Sequence, residues 1–150
     1  MIKYEILLNY VDIKQGLWYT IKNKRKQNGN GGLKMSKKIL ILSTSLRNRS
    51  NSEALADAFA EGAKHAGHTV QTRTLRGKSI AFCKGCLACQ NLHHCVREDD
   101  ALALTEDMRS ADVIVFVTPI YYYEMSGQMK TLLDRANSLY GSAYAFRSIC

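Results

Sequence analysis

What most restricts the fold is an abrupt change of character in the stretch Lys38 to Ser52, KILILSTSLRNRSNS. Ile39, Leu40, Ile41 and Leu42 form a short continuous apolar run, the pattern of a strand covered on both faces by helices. From Ser43 on, hydroxyls, two arginines and two asparagines take over, directly ahead of an amphipathic stretch. This reads as a buried strand, a polar turn and a helix start. The first N–H groups of that helix have no intrahelical partners, and the macrodipole places partial positive charge there. Ser50, Asn51 or Ser52 can cap it, with Glu53 in the first turn. A capped helix without a ligand would look the same. The turn matches neither GxGxxG nor GxxxxGK[ST], which disfavours a dinucleotide or triphosphate and leaves a phosphomonoester as the anion that suits it.

The rest of the chain repeats this alternation. A helix is expected over about Ser52 to Ala66, with Leu55, Phe59, Ala63 and Ala66 as its apolar face and Gly67 as its end. His68 to Leu75 reads as a weaker strand suited to a sheet edge. A cysteine-rich loop follows, then a helix over Asp99 to Arg109 with Leu102, Leu104 and Met108 apolar and Asp99 or Asp100 as cap. Asp112 to Val117 is the second strong strand, running into TPIYYYEMSGQ. A last helix, about Ser126 to Ser138, presents Met129, Leu132, Leu133 and Ala136 at i, i+3, i+4 and i+7. Strands alternating with helices point to a parallel, doubly wound α/β sheet with helices on both faces. In such sheets ligands bind at the carboxyl ends of the strands, where both the Ser43 to Ser52 and Thr118 to Met125 segments leave. Pro119 stiffens the second segment, while Tyr121, Tyr122 and Tyr123 offer flat surface for a planar heteroaromatic ring. At least one of these tyrosines is expected in the core.

These paired loops carry a resemblance. STSLRNRSNS after an apolar strand, with TPIYYYEMSGQMKTLLDR further on, resembles the NAD(P)H-dependent FMN reductase branch of the flavodoxin-like superfamily. The resemblance implies that Ser45, Arg47, Ser50, Asn51 and Ser52 hold the FMN phosphate. It implies that Pro119, Ile120, Tyr121 and Tyr122 line the isoalloxazine, with Gly127 to Arg135 as the helix behind it. Leu46 stands in place of a frequent proline and Thr44 in place of a frequent glycine. The implied activity is that of an FMN-dependent oxidoreductase passing electrons from NAD(P)H, as co-substrate, to a small-molecule electron acceptor, in a homodimer. No side chain need act as acid or base, so none is nominated as catalytic.

Cys83, Cys86, Cys89 and Cys95 form C-x2-C-x2-C-x5-C. Four thiolates this close can ligate a 4Fe–4S cluster, and the spacing resembles the compact motif of the iron–sulfur flavoproteins of the same superfamily, although Val96 stands where ferredoxin runs carry proline. Three other outcomes suit the same residues: zinc held with His93 or His94, a redox pair at Cys83 and Cys86, or free thiols. The cluster would make the chain an electron carrier. A non-enzymatic remnant, or a binding module built on the cysteine loop, is a further reading. Cys150 is assigned no role.

Charge and the chain ends complete the expectations. Of the net +8, residues 1–34 account for +5, with seven Lys or Arg against two Asp or Glu. This basic, Gly- and Asn-rich stretch reads as a flexible extension, and Met35-Ser-Lys-Lys resembles a natural start, leaving residues 35–150 as the flavodoxin-like domain. Nucleic acid is not expected as a partner, since a basic run is more often simply solvated. No apolar run approaches the ~20 residues of a membrane span, no signal-peptide pattern stands out, and a cytoplasmic location is expected. SAYAFRSIC carries no strand pattern, and the resemblance implies further strands and a helix beyond it, so the domain reads as lacking its last elements.

Overall fold

In a computed structural model, the described residues are 36–142 and 148–149. The basic extension, the segment around Phe146 and Cys150 lie outside them. The described chain folds as β1 (Lys38–Ser43), α1 (Asn51–His65), β2 (Thr69–Thr74), α2 (Ala88–Leu92), α3 (Ala101–Ser110), β3 (Val113–Val117), β4 (Ile120–Tyr121), β5 (Glu124–Met125), α4 (Gly127–Arg135), a 3-10 helix (Ala136–Ser142) and β6 (Ser148–Ile149).

The main sheet has the order β2-β1-β3-β6 and its pairings are parallel. This is the flavodoxin-like start, in which the order reverses next to β1 and leaves a crevice at the carboxyl ends of β1 and β3. β1 pairs along its whole length with β2, Lys38 opposite Thr69 through Ser43 opposite Thr74. From Ile39 to Ser43 it also pairs with β3. A strand so placed must be apolar on both faces, as Ile39 to Leu42 are. Leu40, Leu42 and Ile114 pack with Ala101, Leu104 and Met108 of α3, Met129 and Leu132 of α4, and Leu139. Ile39, Ile41, Val115 and Val117 pack with α1 on the opposite face. The result is three layers, α/β/α.

Several expectations change. The buried face of α1 is Ala56, Ala60 and Ala63, while Leu55 is exposed. The face is rotated by one residue because alanines let the helix approach the sheet closely, and Phe59 packs only at its margin. α3 begins at Ala101, two residues later than read, with Asp99 accepting from the Ala101 N–H at 3.0 Å. Asp100 stands at the cap position but its carboxylate turns instead to the Ser79 N–H at 2.8 Å. The last helix stops at Arg135 and tightens into the 3-10 turn. The C-terminal segment does contribute a strand, β6, through Ser148 opposite Val113 and Ile149 opposite Ile114. Its two residues are too short to leave a periodic signal. β2 is an edge strand, as read, and mostly exposed.

Candidate functional site

The turn after β1 is built from three layers of contacts. Thr44 N–H continues the sheet by donating to Val117 O at 3.0 Å. Ser50 caps α1 with a full capping box: the Glu53 N–H donates to Ser50 Oγ at 3.1 Å, and the Ser50 N–H donates to the Glu53 carboxylate at 3.2 Å. Between them the backbone passes through a left-handed residue, Arg49, at φ 53°. Among the described residues, the N–H groups of Ser45, Leu46, Arg47 and Asn48 find no protein acceptor, while that of Arg49 turns to the Glu53 carboxylate. Successive N–H groups around a right- to left-handed turn form an anion-binding concavity. Ser43 Oγ and Arg76 Nε, which border the turn, are buried without a protein partner. The turn thus has donors to spare, which fits a phosphate.

The residues named from the sequence divide here. Ser45 and Ser50 are buried, Ser52 is half-buried, and Arg47 and Asn51 are exposed. Ser45 Oγ donates to Arg47 O at 3.3 Å and Ser50 Oγ serves the cap, so much of what these hydroxyls do is to shape the turn. Among the described residues Arg47 and Arg49 make no ion pair.

A ring of hydroxyls ties this turn to the second loop. Thr44 Oγ1 donates to Thr118 Oγ1 at 2.9 Å, Thr118 Oγ1 to Ser126 Oγ at 3.1 Å, and Ser126 Oγ back to Thr44 Oγ1 at 2.9 Å. Ser126 also caps α4 by accepting from the Met129 N–H at 3.3 Å. The two loops and the start of α4 therefore meet at one buried point at the sheet's carboxyl edge.

Beyond Thr118 the chain forms an antiparallel hairpin, Ile120 opposite Met125 and Tyr121 opposite Glu124. Its tip is Tyr122 and Tyr123, both at positive φ, 48° and 66°. The expectation of a core tyrosine fails: Tyr121 is 50% exposed and Tyr122 and Tyr123 are each 95% exposed. The hairpin projects from the sheet edge and reaches the core through Met125 rather than through a tyrosine. Pro119 is half-buried and Ile120 exposed. The two tip rings meet edge to face at 5.8 Å.

The cysteine segment is partly helical, with α2 bounded by left-handed residues at Leu87 and His93. Cys83, Cys86, Cys89 and Cys95 are unpaired thiols. All four line one cavity of about 380 Å³, together with Arg97, Asp134, Arg135 and Asn137. Neither His93 nor His94 lines it. Three sulfurs accept hydrogen bonds: Cys95 from Arg135 Nε at 3.2 Å, Cys89 from Asn137 Nδ2 at 3.4 Å, and Cys83 from the Gly85 N–H at 3.4 Å. Among the described residues no three His, Cys, Asp or Glu side chains converge closely enough to hold a metal ion.

Arg135 is the staple of this loop. Its side chain is fully buried and pairs with Asp99 at 2.6 Å. It also donates to Ala81 O at 2.8 Å and Arg97 O at 3.1 Å, holding the chain on both sides of the cysteines. Burial alone would push the Asp99 carboxyl up, but hydrogen bonds from Arg135 and from the Ala81 and Ala101 N–H groups hold it below the ordinary carboxylate range. Sequence reasoning missed Arg76, Asp99 and Arg135 as site-building residues. Arg135 had one signal: it lies three residues after Leu132 on the apolar stripe of α4, where a charge needs a buried partner. Arg76, which grips the turn after β1, had none.

Residues 37–148 match the NADPH-dependent FMN reductase family. The chain is 34% identical over 111 residues to an iron–sulfur flavoprotein of Methanosarcina thermophila, covering 74% of this chain and 58% of that protein. It is 35% identical over 101 residues to an iron–sulfur flavoprotein of Archaeoglobus fulgidus, covering 67% and 50%. The chain thus spans about half the length of the curated relatives it matches. Among solved structures, an NAD(P)H:quinone oxidoreductase from Methanothermobacter marburgensis superposes with a TM-score of 0.63 at 21% identity, over 77% of this chain and 63% of that one, and shares its fold. With the matched region running from β1 to β6 and taking in both loops at the sheet edge, the chain belongs to the NADPH-dependent FMN reductase family.

Proposed function

We propose that this chain forms the phosphate- and ring-binding half of an FMN-dependent oxidoreductase that takes electrons from NADH or NADPH and passes them to a small-molecule acceptor. The observation that carries this reading is the joining of a donor-rich turn and an aromatic hairpin by the Thr44–Thr118–Ser126 hydroxyl ring. Bound FMN would supply the hydride and single-electron chemistry, which no side chain can. The chain's own work is binding and orientation. The unpaired N–H groups of Ser45 to Asn48, with Ser50 and the start of α1, hold the phosphate. Pro119, Ile120, Tyr121 and Tyr122 set the plane of the ring, and the hydroxyl ring fixes the angle between the two supports. Assembly as a homodimer belongs to the same proposal.

A second redox centre is favoured by a separate observation, the four sulfurs around one cavity with N–H donors aimed at three of them. Those donors suit sulfur that carries negative charge, as in a 4Fe–4S centre. An all-cysteine donor set fits such a cluster in kind, and the names of the iron–sulfur flavoprotein relatives support it. The sulfurs must draw closer to close around it, since none of them yet forms a metal-holding group.

Anaerobic purification followed by an absorbance spectrum tests both readings, with iron and sulfide assays alongside. The expected result is a flavin spectrum, overlaid by a broad iron–sulfur band and matched by four irons per chain on the cluster reading. A chain with no affinity for added FMN, while a full-length relative binds it under the same conditions, would overturn the flavin reading. Absence of iron and sulfide in flavin-loaded protein would overturn the cluster alone.

A further inference from the structure

We propose that Arg76 is a positioning residue that grips the Ser45 to Ser52 turn from behind and makes it selective for a phosphomonoester, a reading that rests on flavin binding at this turn. Its guanidinium lies just beyond β2 yet spends its donors on the turn after β1. Nη2 donates to Arg47 O at 2.8 Å and to Ser45 O at 3.4 Å, and it pairs with the Glu53 carboxylate. Nη1 donates to the Asn48 side-chain oxygen.

Two consequences follow from peptide geometry and charge. In a trans peptide the C=O and the following N–H point in opposite directions, and this chain has no cis bond among the described residues. Drawing Ser45 O and Arg47 O towards Arg76 therefore turns the N–H groups of Leu46 and Asn48 away from it. Neither has a protein acceptor, so both stand available to an anion on the far side of the turn. The second consequence concerns Glu53. Its carboxylate completes the capping box, yet a free negative charge in the first turn would repel a phosphate held there. The Arg76 ion pair cancels that charge and leaves the cap intact. Arg76 thus shapes the anion site through its neighbours, without itself being assigned a contact to the ligand.

The test uses the full chain, Arg76→Met, and the double variant Glu53→Gln/Arg76→Met, titrated with FMN and with riboflavin, which lacks the phosphate. Far-UV circular dichroism monitors folding. The expected result is a ~10- to 100-fold loss of FMN affinity in both variants, the range set by losing charge-assisted hydrogen bonds, with riboflavin affinity held at its wild-type value. If Arg76→Met fails to fold because Glu53 is left unpaired, the double variant, which carries no such charge, decides the matter. An unchanged FMN-to-riboflavin ratio in a folded variant, or an equal fall for both ligands, would overturn the assignment. Wild-type protein that binds riboflavin as tightly as FMN would overturn it too while leaving flavin binding intact. Wild-type protein that binds neither would overturn the flavin reading and this assignment together.

Discussion

Arg135 and Asp99 form the most buried ion pair among the described residues. One guanidinium serves a carboxylate, two backbone carbonyls and a cysteine sulfur, all with its side chain out of water. Replacing Arg135 by Met leaves Asp99 buried with only its backbone N–H partners. The expected cost is about 3 kcal/mol, towards the lower end of the range for removing one member of a buried pair, read as a lowered urea midpoint. The same pair fixes an acid limb. Because the folded Asp99 carboxyl sits below its ordinary range, the unfolded chain takes up its proton first as pH falls. The stabilisation is thus complete above the ordinary Asp range and is lost as pH drops through and below it. Asp99→Asn should therefore be less stable than wild type near neutrality, and the gap should narrow towards about pH 3. Urea midpoints at the two pH values check this, and a gap that widens on acidification would contradict it.

At the scale of elements, the β4–β5 hairpin breaks a local rule. Positive φ at both central positions is the geometry for which Asn-Gly is favoured, and Tyr122-Tyr123 stands there instead. Left-handed backbone at bulky residues costs on the order of 1–3 kcal/mol each. Substituting Asn-Gly at 122–123 is expected to raise stability by about 1 kcal/mol or more, seen as a higher urea midpoint, while weakening binding of the flavin ring. A variant that is less stable would argue that the two exposed rings are held by contacts not seen in the isolated chain. The tyrosines were legible in the sequence as an aromatic surface but not as a hairpin. A triple tyrosine run carries no Gly or Asn to announce a tight turn, and its exposed placement depends on where β3 ends. The capping of α1 was legible because Ser50 and Glu53 are local, three residues apart. The rotated face of α1 was not, because Leu55 outweighs Ala56 in any hydrophobic pattern, while the sheet selects the smaller residue for close approach.

For the whole molecule, a parallel sheet was legible from Ile39–Leu42 and Val113–Val117, whose unbroken apolar character marks central strands, and its strand order came from the structure. What joins distant segments was not. Arg76 reaches back to Asn48, and Arg135 to Ala81, across separations that no periodicity encodes. The sheet should open from its margins inward. Amide hydrogen exchange is expected to be slowest at Ile39 to Leu42, which pair on both sides. It should be faster in β2, and fastest at β6 with its two-residue pairing. Comparable protection in β6 and β1 would mean that β6 is supported by more than its pairing with β3.

The hydroxyl ring has a consequence for how this chain can vary. Thr44, Thr118 and Ser126 each give one proton to the next in a closed circuit, and two of them also take a backbone N–H: Thr118 that of Ser126, and Ser126 that of Met129. Removing Thr118 strands the donor of Thr44 and takes a partner from Ser126, both of them fully buried. Losing all three to apolar groups of matching shape leaves the Ser126 and Met129 N–H groups without these acceptors. The three positions therefore form one inherited unit, tied to the backbone as well as to each other, in which single departures and wholesale replacement by apolar groups are both penalised.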